Sequence, residues 1–152
     1  AAAEHVSDFL PMSRRDFLKF EGPARAIAQA YAAAGITVAD LDFAEVHDCF
    51  TIAEVLATED LGFAQRGEGG RFARAGEGRI NEGTTTVNSS GGLKSKGHPL
   101  GATGTGQVVE VFKQLRGQVE SQRQVRGAET ALTHNVGGSG ATCSVHIFGR
   151  DR

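Results

Sequence analysis

The sequence has no tryptophan, one methionine, one tyrosine and only two cysteines among its 152 residues. Two cysteines, Cys49 and Cys143, cannot build a disulfide framework, and a reducing cytoplasm is the compartment such usage suggests by default. No apolar run reaches the length that crosses a bilayer. The opening segment, AAAEHVSDFLPMSRRDF, lacks the basic-then-apolar order of a secretory signal. An excess of one charge is also missing. The net charge is -2 with both signs interspersed, so neither nucleic acid nor a membrane is implied as a partner. Glycine is abundant at 21 residues but not periodic, which excludes collagen-like and linker readings. No internal repeat is present. The length suits one domain able to bury a core.

Taken in order, residues 1–20 carry little pattern and read as a loop or linker, with at most a short turn from Arg15 to Leu18. A helix begins at Pro23, buries Ala26, Ile27, Ala30, Tyr31 and Ala34, and ends at Gly35. A turn at Val38–Asp40 leads to a strand over Leu41–Val46, in which Leu41, Phe43 and Glu45 alternate with Asp42, Ala44 and Val46. A second helix runs from Thr51 to Leu61. Residues 63–83, rich in Gly, Arg and Glu, read as a long surface loop. Thr84–Asn88 is the next strand, and Gly117–Gly127 a polar connection. Two strands close the chain, Ala131–Val136 and Ala141–Phe148, joined at Gly137–Gly140. The result is an α/β domain: a mixed sheet with helices on both faces and an antiparallel last pair. No strand is evident before the first helix.

The stretch TVNSSGGLKSKGHPLGATGTGQ, Thr86–Gln107, organises the rest. It predicts a helix from Pro99 to Gln114, with proline tolerated at its first position. Val108, Val111, Phe112 and Leu115 form one apolar stripe. Gly101, Gly104 and Gly106 each cost about 1 kcal/mol relative to alanine, so another backbone is expected to approach them closely. His98, restricted by the proline after it and set at the positive end of the helix dipole, suits a neutral imidazole. Such a ring can donate to a developing oxyanion or accept a proton. The Gly–His–Pro tripeptide alone fits a surface histidine capping a turn equally well.

The other polar residues divide. Cys143 lies on the apolar face of a strand, where free cysteine is an ordinary small hydrophobe. Cys49 follows His47 in a strand-to-helix turn, the place where α/β folds keep their chemistry; a helix start favours its thiolate, and a small buried hydrophobe is the competing reading. No ligand set has zinc spacing, so no metal is expected. Gly101-x-x-Gly104-x-Gly106 is not the dinucleotide order. The turn at Gly137–Gly140 offers backbone N–H groups for an anion nest or oxyanion hole, or is an ordinary Gly-rich hairpin.

Three segments, HDCF at His47–Phe50, SGGLKSKGHPLGATG at Ser90–Gly104 and HNVGGSGA at His134–Ala141, resemble the C-terminal half of a thiolase, most closely the sterol-carrier-protein-type branch. The resemblance covers nearly the whole chain. It implies one half of a five-layered αβαβα fold, with the segment after His98 as the buried middle helix. It implies cleavage of 3-oxoacyl-CoA by a second CoA, or the reverse condensation, as part of acyl-CoA lipid metabolism such as fatty-acid β-oxidation. Coenzyme A would be a substrate, and no permanent cofactor is implied. By resemblance, His98 activates the nucleophile and helps hold the thioester oxygen. His47 stands where the other branch has the Asn of an Asn–Glu–Ala–Phe motif, supporting the same oxyanion site. Cys49 matches the acid/base cysteine. Asn135 occupies the place of the other branch's Cys-x-Gly cysteine, Gly137 would give a backbone N–H to the second oxyanion hole, and Phe50 would line the pantetheine channel. The nucleophilic cysteine and most CoA-binding segments belong to an N-terminal half that this sequence does not contain. The expected partner is therefore that half, or a second copy of this chain, and the chain alone should be inactive. A thiolase-like lyase splitting side-chain β-hydroxyacyl-CoA with a partner protein and a non-catalytic scaffold half are the alternatives.

Overall fold

A computed structural model describes residues 1–6 and 16–150. Eleven elements follow in order: β1 (Ala2–Val6), α1 (Glu21–Ala34), a 3-10 turn (Val38–Asp40), β2 (Phe43–Val46), α2 (Thr51–Asp60), α3 (Gly69–Ala75), β3 (Thr86–Val87), α4 (Gly92–Lys96), α5 (Thr103–Leu115), β4 (Thr130–Gly137) and β5 (Thr142–Gly149). The strands form one sheet in the order β1-β5-β4-β2-β3. β1 with β5 and β5 with β4 are antiparallel, while β4, β2 and β3 run parallel. The mixed sheet and its antiparallel last pair are those the sequence predicts. Among the described residues no helix is long and apolar enough to cross a membrane.

Strand alternation sorts the core into two layers. Ala44, Val46, Leu132, Cys143, Val145 and Ile147 face α1 and α2, where Ala26, Ile27 and Ala30 meet them. Phe43 and Ala131 face the other way and pack on Val111 and Leu115 of α5. α1 closes as expected, with Gly35 in the left-handed conformation at φ 68°.

Four local differences have physical causes. The expected loop over 1–20 contains β1, which pairs with β5 from Ala2 opposite His146 to Val6 opposite Thr142; its partner is at the far end of the chain, so no local signal marks it. Residues 7–15 lie outside the described residues. The expected surface loop over 63–83 contains α3, held by the burial of Phe72 and by the Gly69 N–H donating to Glu59 Oε1 at 2.9 Å. α4, ahead of the predicted helix, is a short helix the sequence pattern does not mark; Asp48 fixes its start by accepting the Leu93 N–H at 2.7 Å. α5 starts at Thr103 rather than Pro99: the Ala102 and Thr103 N–H groups both donate to the Pro99 carbonyl, at 2.8 and 3.1 Å, closing a separate turn. His98 is thus placed before a turn, not on the helix end.

The buried side of α5 is also more polar than its sequence pattern suggests. Thr103, Gln107, Glu110 and Gln114 are buried beside Val111 and Leu115, while Phe112 is 55% exposed. Close approach explains one of the three early glycines. A Cβ at Gly104 would lie 2.9 Å from the Asn135 side-chain nitrogen, whereas Gly101 and Gly106 face open space.

Leu132 is fully buried at the centre of the α1-facing core. Leu132→Ala should lower stability by about 2–5 kcal/mol, read as a lower urea midpoint with an unchanged m-value. An unaltered midpoint would contradict the layer assignment.

Candidate active site

The site forms at the C-terminal ends of the parallel strands β2 and β4, where open α/β sheets leave a crevice. β2 delivers His47, Asp48 and Cys49 into the turn that opens α2, whose N-cap is Phe50. His47 and Asp48 are buried, Cys49 is half-buried and carries a free thiol, and Phe50 is 68% exposed.

His98 arrives on a loop fastened from below. Asn88, at φ 54°, accepts the Val46 N–H on its side-chain oxygen at 2.8 Å. Glu45, fully buried on β2, accepts from the Ser89 hydroxyl at 3.0 Å, the Ser90 N–H at 3.0 Å and the Ser90 hydroxyl at 2.5 Å. Lys96 Nζ reaches the same carboxyl group at 3.4 Å. Asp48 caps the next turn, accepting the Leu93 N–H at 2.7 Å and the Lys94 N–H at 3.4 Å. Gly92 is required here: its φ is 66°, and a Cβ would run into the Asp48 carboxyl.

So held, the His98 ring stands edge-on to His47, with centroids 4.9 Å apart and planes at 82°. Its Nδ1 lies 2.7 Å from the Thr103 hydroxyl, which also lies 3.3 Å from the Pro99 carbonyl oxygen. A hydroxyl has one hydrogen to give. Given to Pro99, it leaves Thr103 accepting from Nδ1–H, and Nε2 is a free base. Given to Nδ1, it leaves the proton on Nε2, a donor toward an oxygen. Both states suit a residue that must accept a proton and also hold an oxyanion.

A cavity of about 350 Å³ adjoins this pair, lined by His47, Cys49, Phe50, His134, Val136 and the turn of residues 138–140, among others. His134 is 2% exposed, and neither of its ring nitrogens has a hydrogen-bond partner among the described residues. Burial, with His47 nearby as a second cause, pushes its pKa down to about 4. His47 is shifted down as well, first by burial and then by His98, with Asp48 opposing. The walls of the site therefore favour neutral imidazoles.

The expected site residues do not all converge. His47 and His98 touch, and His47, Cys49 and Phe50 share the cavity. Gly137 ends β4 opposite Thr142, beside the turn. Asn135 faces the other layer, donating to Gln107 Oε1 at 3.3 Å, while Gln107 Nε2 donates to the His134 carbonyl at 3.1 Å. Cys143 is buried in the α1-facing core, its thiol pushed up to about 12 by burial. The sequence reading did not single out Asp48, Lys96 or His134. The only local hints were the carboxylate inside HDCF and the histidine that opens HNVGGSGA. Among the described residues no group of three or more His, Cys, Asp or Glu side chains is arranged to hold a metal ion.

His134 makes the site pH-sensitive. Its unfolded-state pKa is near 6.5 and its folded value about 4, so between them the unfolded chain binds more protons. Stability should then fall as pH drops through that window, by about 3 kcal/mol in full. Denaturant titrations from pH 7 to 4 should show this slope in the parent and a flatter one in His134→Gln; equal slopes would contradict it. Asp60 and Glu54, whose carboxyl groups are raised mainly by burial, act in the opposite sense in both proteins and cancel from the comparison.

Residues 3–150 match the family described as thiolase C-terminal domain-like. The chain is 53% identical over 150 residues to an acetyl-CoA acetyltransferase of Methanothermobacter thermautotrophicus, covering 99% of this chain and 39% of that protein. It is 42% identical over 135 residues to human sterol carrier protein 2, covering 89% of this chain and 24% of that protein. The solved structure of an Ltp2-ChsH2(DUF35) aldolase superposes with a TM-score of 0.82 at 25% identity, over 100% of this chain and 39% of that one. The chain thus spans about two fifths or less of the proteins it is compared with here. Matched over residues 3–150 and, over 99% of its length, 53% identical to a relative, the chain belongs to the thiolase C-terminal domain-like family.

Proposed function

We propose that this chain is the C-terminal half of a sterol-carrier-protein-type thiolase acting on 3-oxoacyl-CoA, by thiolysis or the reverse condensation. The observation that carries the reading is the gathering of His47, Cys49 and His98 at one end of the sheet, with His47 and His98 in ring contact. In this mechanism His98 takes the proton of a nucleophilic thiol supplied by the N-terminal half and, with His47, holds the thioester oxygen as it becomes negative. Cys49 moves the proton on the second carbon of the acyl group. In the same reading the Gly137 backbone N–H serves the other oxyanion, and Phe50, exposed at the start of α2, lines the pantetheine path. Asn135 stands at the other branch's cysteine position and serves the α5 contact instead. The two free cysteines are consistent with a reducing cytoplasm.

The outer side of α5 supports a partner. Val109 and Phe112 are 45% and 55% exposed, and a groove of about 480 Å³ runs between Val108, Phe112, Leu115 and Phe148. Contiguous apolar surface of this kind marks contacts. In our reading the N-terminal half covers it, completing a five-layered αβαβα fold; a second copy of the chain is the substitute. A second reading, a retro-aldol lyase acting on β-hydroxyacyl-CoA, is favoured by the likeness to the aldolase structure. Cys49, as the group that moves the proton on the second carbon, serves either step, because retro-aldol cleavage also leaves a carbanion there; the 53% identity to an acetyl-CoA acetyltransferase favours the thiolase.

Reconstitution with an N-terminal thiolase half tests this. The pair should elute together and cleave acetoacetyl-CoA with CoA, and the lone chain should turn nothing over. In the pair, Cys49→Ala should slow α-proton exchange of acetyl-CoA about 10²–10⁴-fold and still accept an acyl group, whereas His98→Ala should slow acylation itself. Intact exchange in Cys49→Ala would overturn the acid/base role. Cleavage of a 3-hydroxyacyl-CoA without thiolysis would favour the lyase.

A further inference from the structure

The cavity beside Cys49 grades from exposed to buried. Phe17, Phe50 and Ile52 stand at its mouth at 60%, 68% and 54% exposure, while His47 and His134 lie deep within it at 6% and 2%. At about 350 Å³ it is near the lower bound of small-molecule sites, room for an acyl group rather than a whole thioester. Its walls are mainly aromatic and aliphatic, and the polar side chains among them are the Cys49 thiol, the two histidines and Ser139 of the turn. His134 Nδ1, His134 Nε2 and His47 Nδ1 have no hydrogen-bond partner among the described residues. Buried polar atoms are nearly always paired, and leaving one unpaired has a substantial cost. An apolar pocket that keeps such groups deep within it is built for a guest with an oxygen at that depth.

We propose that His134 is a specificity-determining residue that hydrogen-bonds an oxygen on the third carbon of the acyl group. This rests on the reading of Cys49 as the group that works at the second carbon. With that carbon at the Cys49 sulfur, the third carbon is the next atom inward, and its oxygen is the first polar atom to pass beyond the thiol. His134 faces the α1 layer with Leu132 and Val136, since alternate residues of β4 share a side. It is therefore on the opposite side of the sheet from Asn135 and its contact with α5, and its role is separate from that contact. A neutral imidazole has one N–H and one bare nitrogen. The N–H donates to a 3-oxo group, and either nitrogen can serve a 3-hydroxyl. An acyl chain lacking the oxygen leaves both unpaired, which is how a buried polar group rejects an analogue without the matching atom.

N-acetylcysteamine thioesters of acetoacetate, 3-hydroxybutyrate and butyrate test this on the chain as it stands, because they need no nucleotide site. Calorimetric titration should give at least about tenfold tighter binding of an oxygenated probe than of the butyryl probe. The preferred oxygenated probe separates a 3-oxo from a 3-hydroxy substrate, and either preference supports the subsite. In His134→Leu the preference should collapse to within about twofold with butyryl binding retained; in His134→Gln, which keeps a donor and an acceptor, part of it should return. Should His134→Leu fail to fold by circular dichroism, the ring ¹⁵N resonances of His134 in the parent decide: they should move with the oxygenated probes and stay with butyryl. Equal binding of all three probes, no binding, discrimination that survives His134→Leu, or unmoved ring resonances would each overturn the proposal. Discrimination without thiolysis in the reconstituted pair would refute the proposed reaction and leave the subsite standing.

Discussion

The arrangement of this domain depends on one buried carboxyl group. Glu45 sits on β2, between β4 and β3 in the sheet, with no exposed surface, and its hydrogen-bonding capacity is spent on the segment that ends in His98. Ser89, Ser90 and Lys96 all reach it. Lys96 and the Gly92 N–H also meet at the Ser90 hydroxyl, at 2.7 and 3.2 Å. A buried charge is tolerated only when its lone pairs are met, so β2 and the loop specify each other. A second carboxyl group extends the network: Glu110 on α5 lies 2.7 Å from Arg123 and accepts from Gln114 at 3.1 Å, and the Ser89 hydroxyl lies 3.3 Å from it. The inner face of α5 is polar because it closes this network over the sheet.

From that anchor the site follows. Asp48, three residues after Glu45, fixes the same loop at α4, and the two residues flanking Asp48 are His47 and Cys49. The side chains that hold the loop and those that face the cavity thus interleave along one short segment. Motion of the loop would separate His98 from His47, which ties stability to chemistry at this corner of the fold.

Much of this was legible in the sequence. The alternation of Cys143, Val145 and Ile147 against Thr142, Ser144 and His146 marks a strand with one buried face, and the apolar spacing from Pro23 to Gly35 marks α1. The HDCF and GHP motifs carry His47 and His98, whose rings meet, and HNVGGSGA carries His134 and the turn of residues 138–140, which line the cavity with Cys49. What escaped was non-local. β1 is a strand because β5 is there to pair with it, and α3 is a helix because Phe72 and Gly69 find α2 and the core. The polar inner face of α5 escaped for a related reason: Gln107, Glu110 and Gln114 look solvent-facing on a helical wheel until Ser89, Arg123 and the His134 carbonyl are brought beneath them. His134 showed no sign of its unpaired ring nitrogens, because a ring left without a partner among the described residues is a property of the assembled pocket.

The central claim is that Glu45 locally fastens the loop bearing His98 to the sheet. Amide hydrogen exchange of Glu45→Gln against the parent tests it most directly. The account predicts that protection is lost over residues 88–98 while β4 and β5 stay as protected as before. Unchanged protection over 88–98, or an equal loss across the whole sheet, would contradict it.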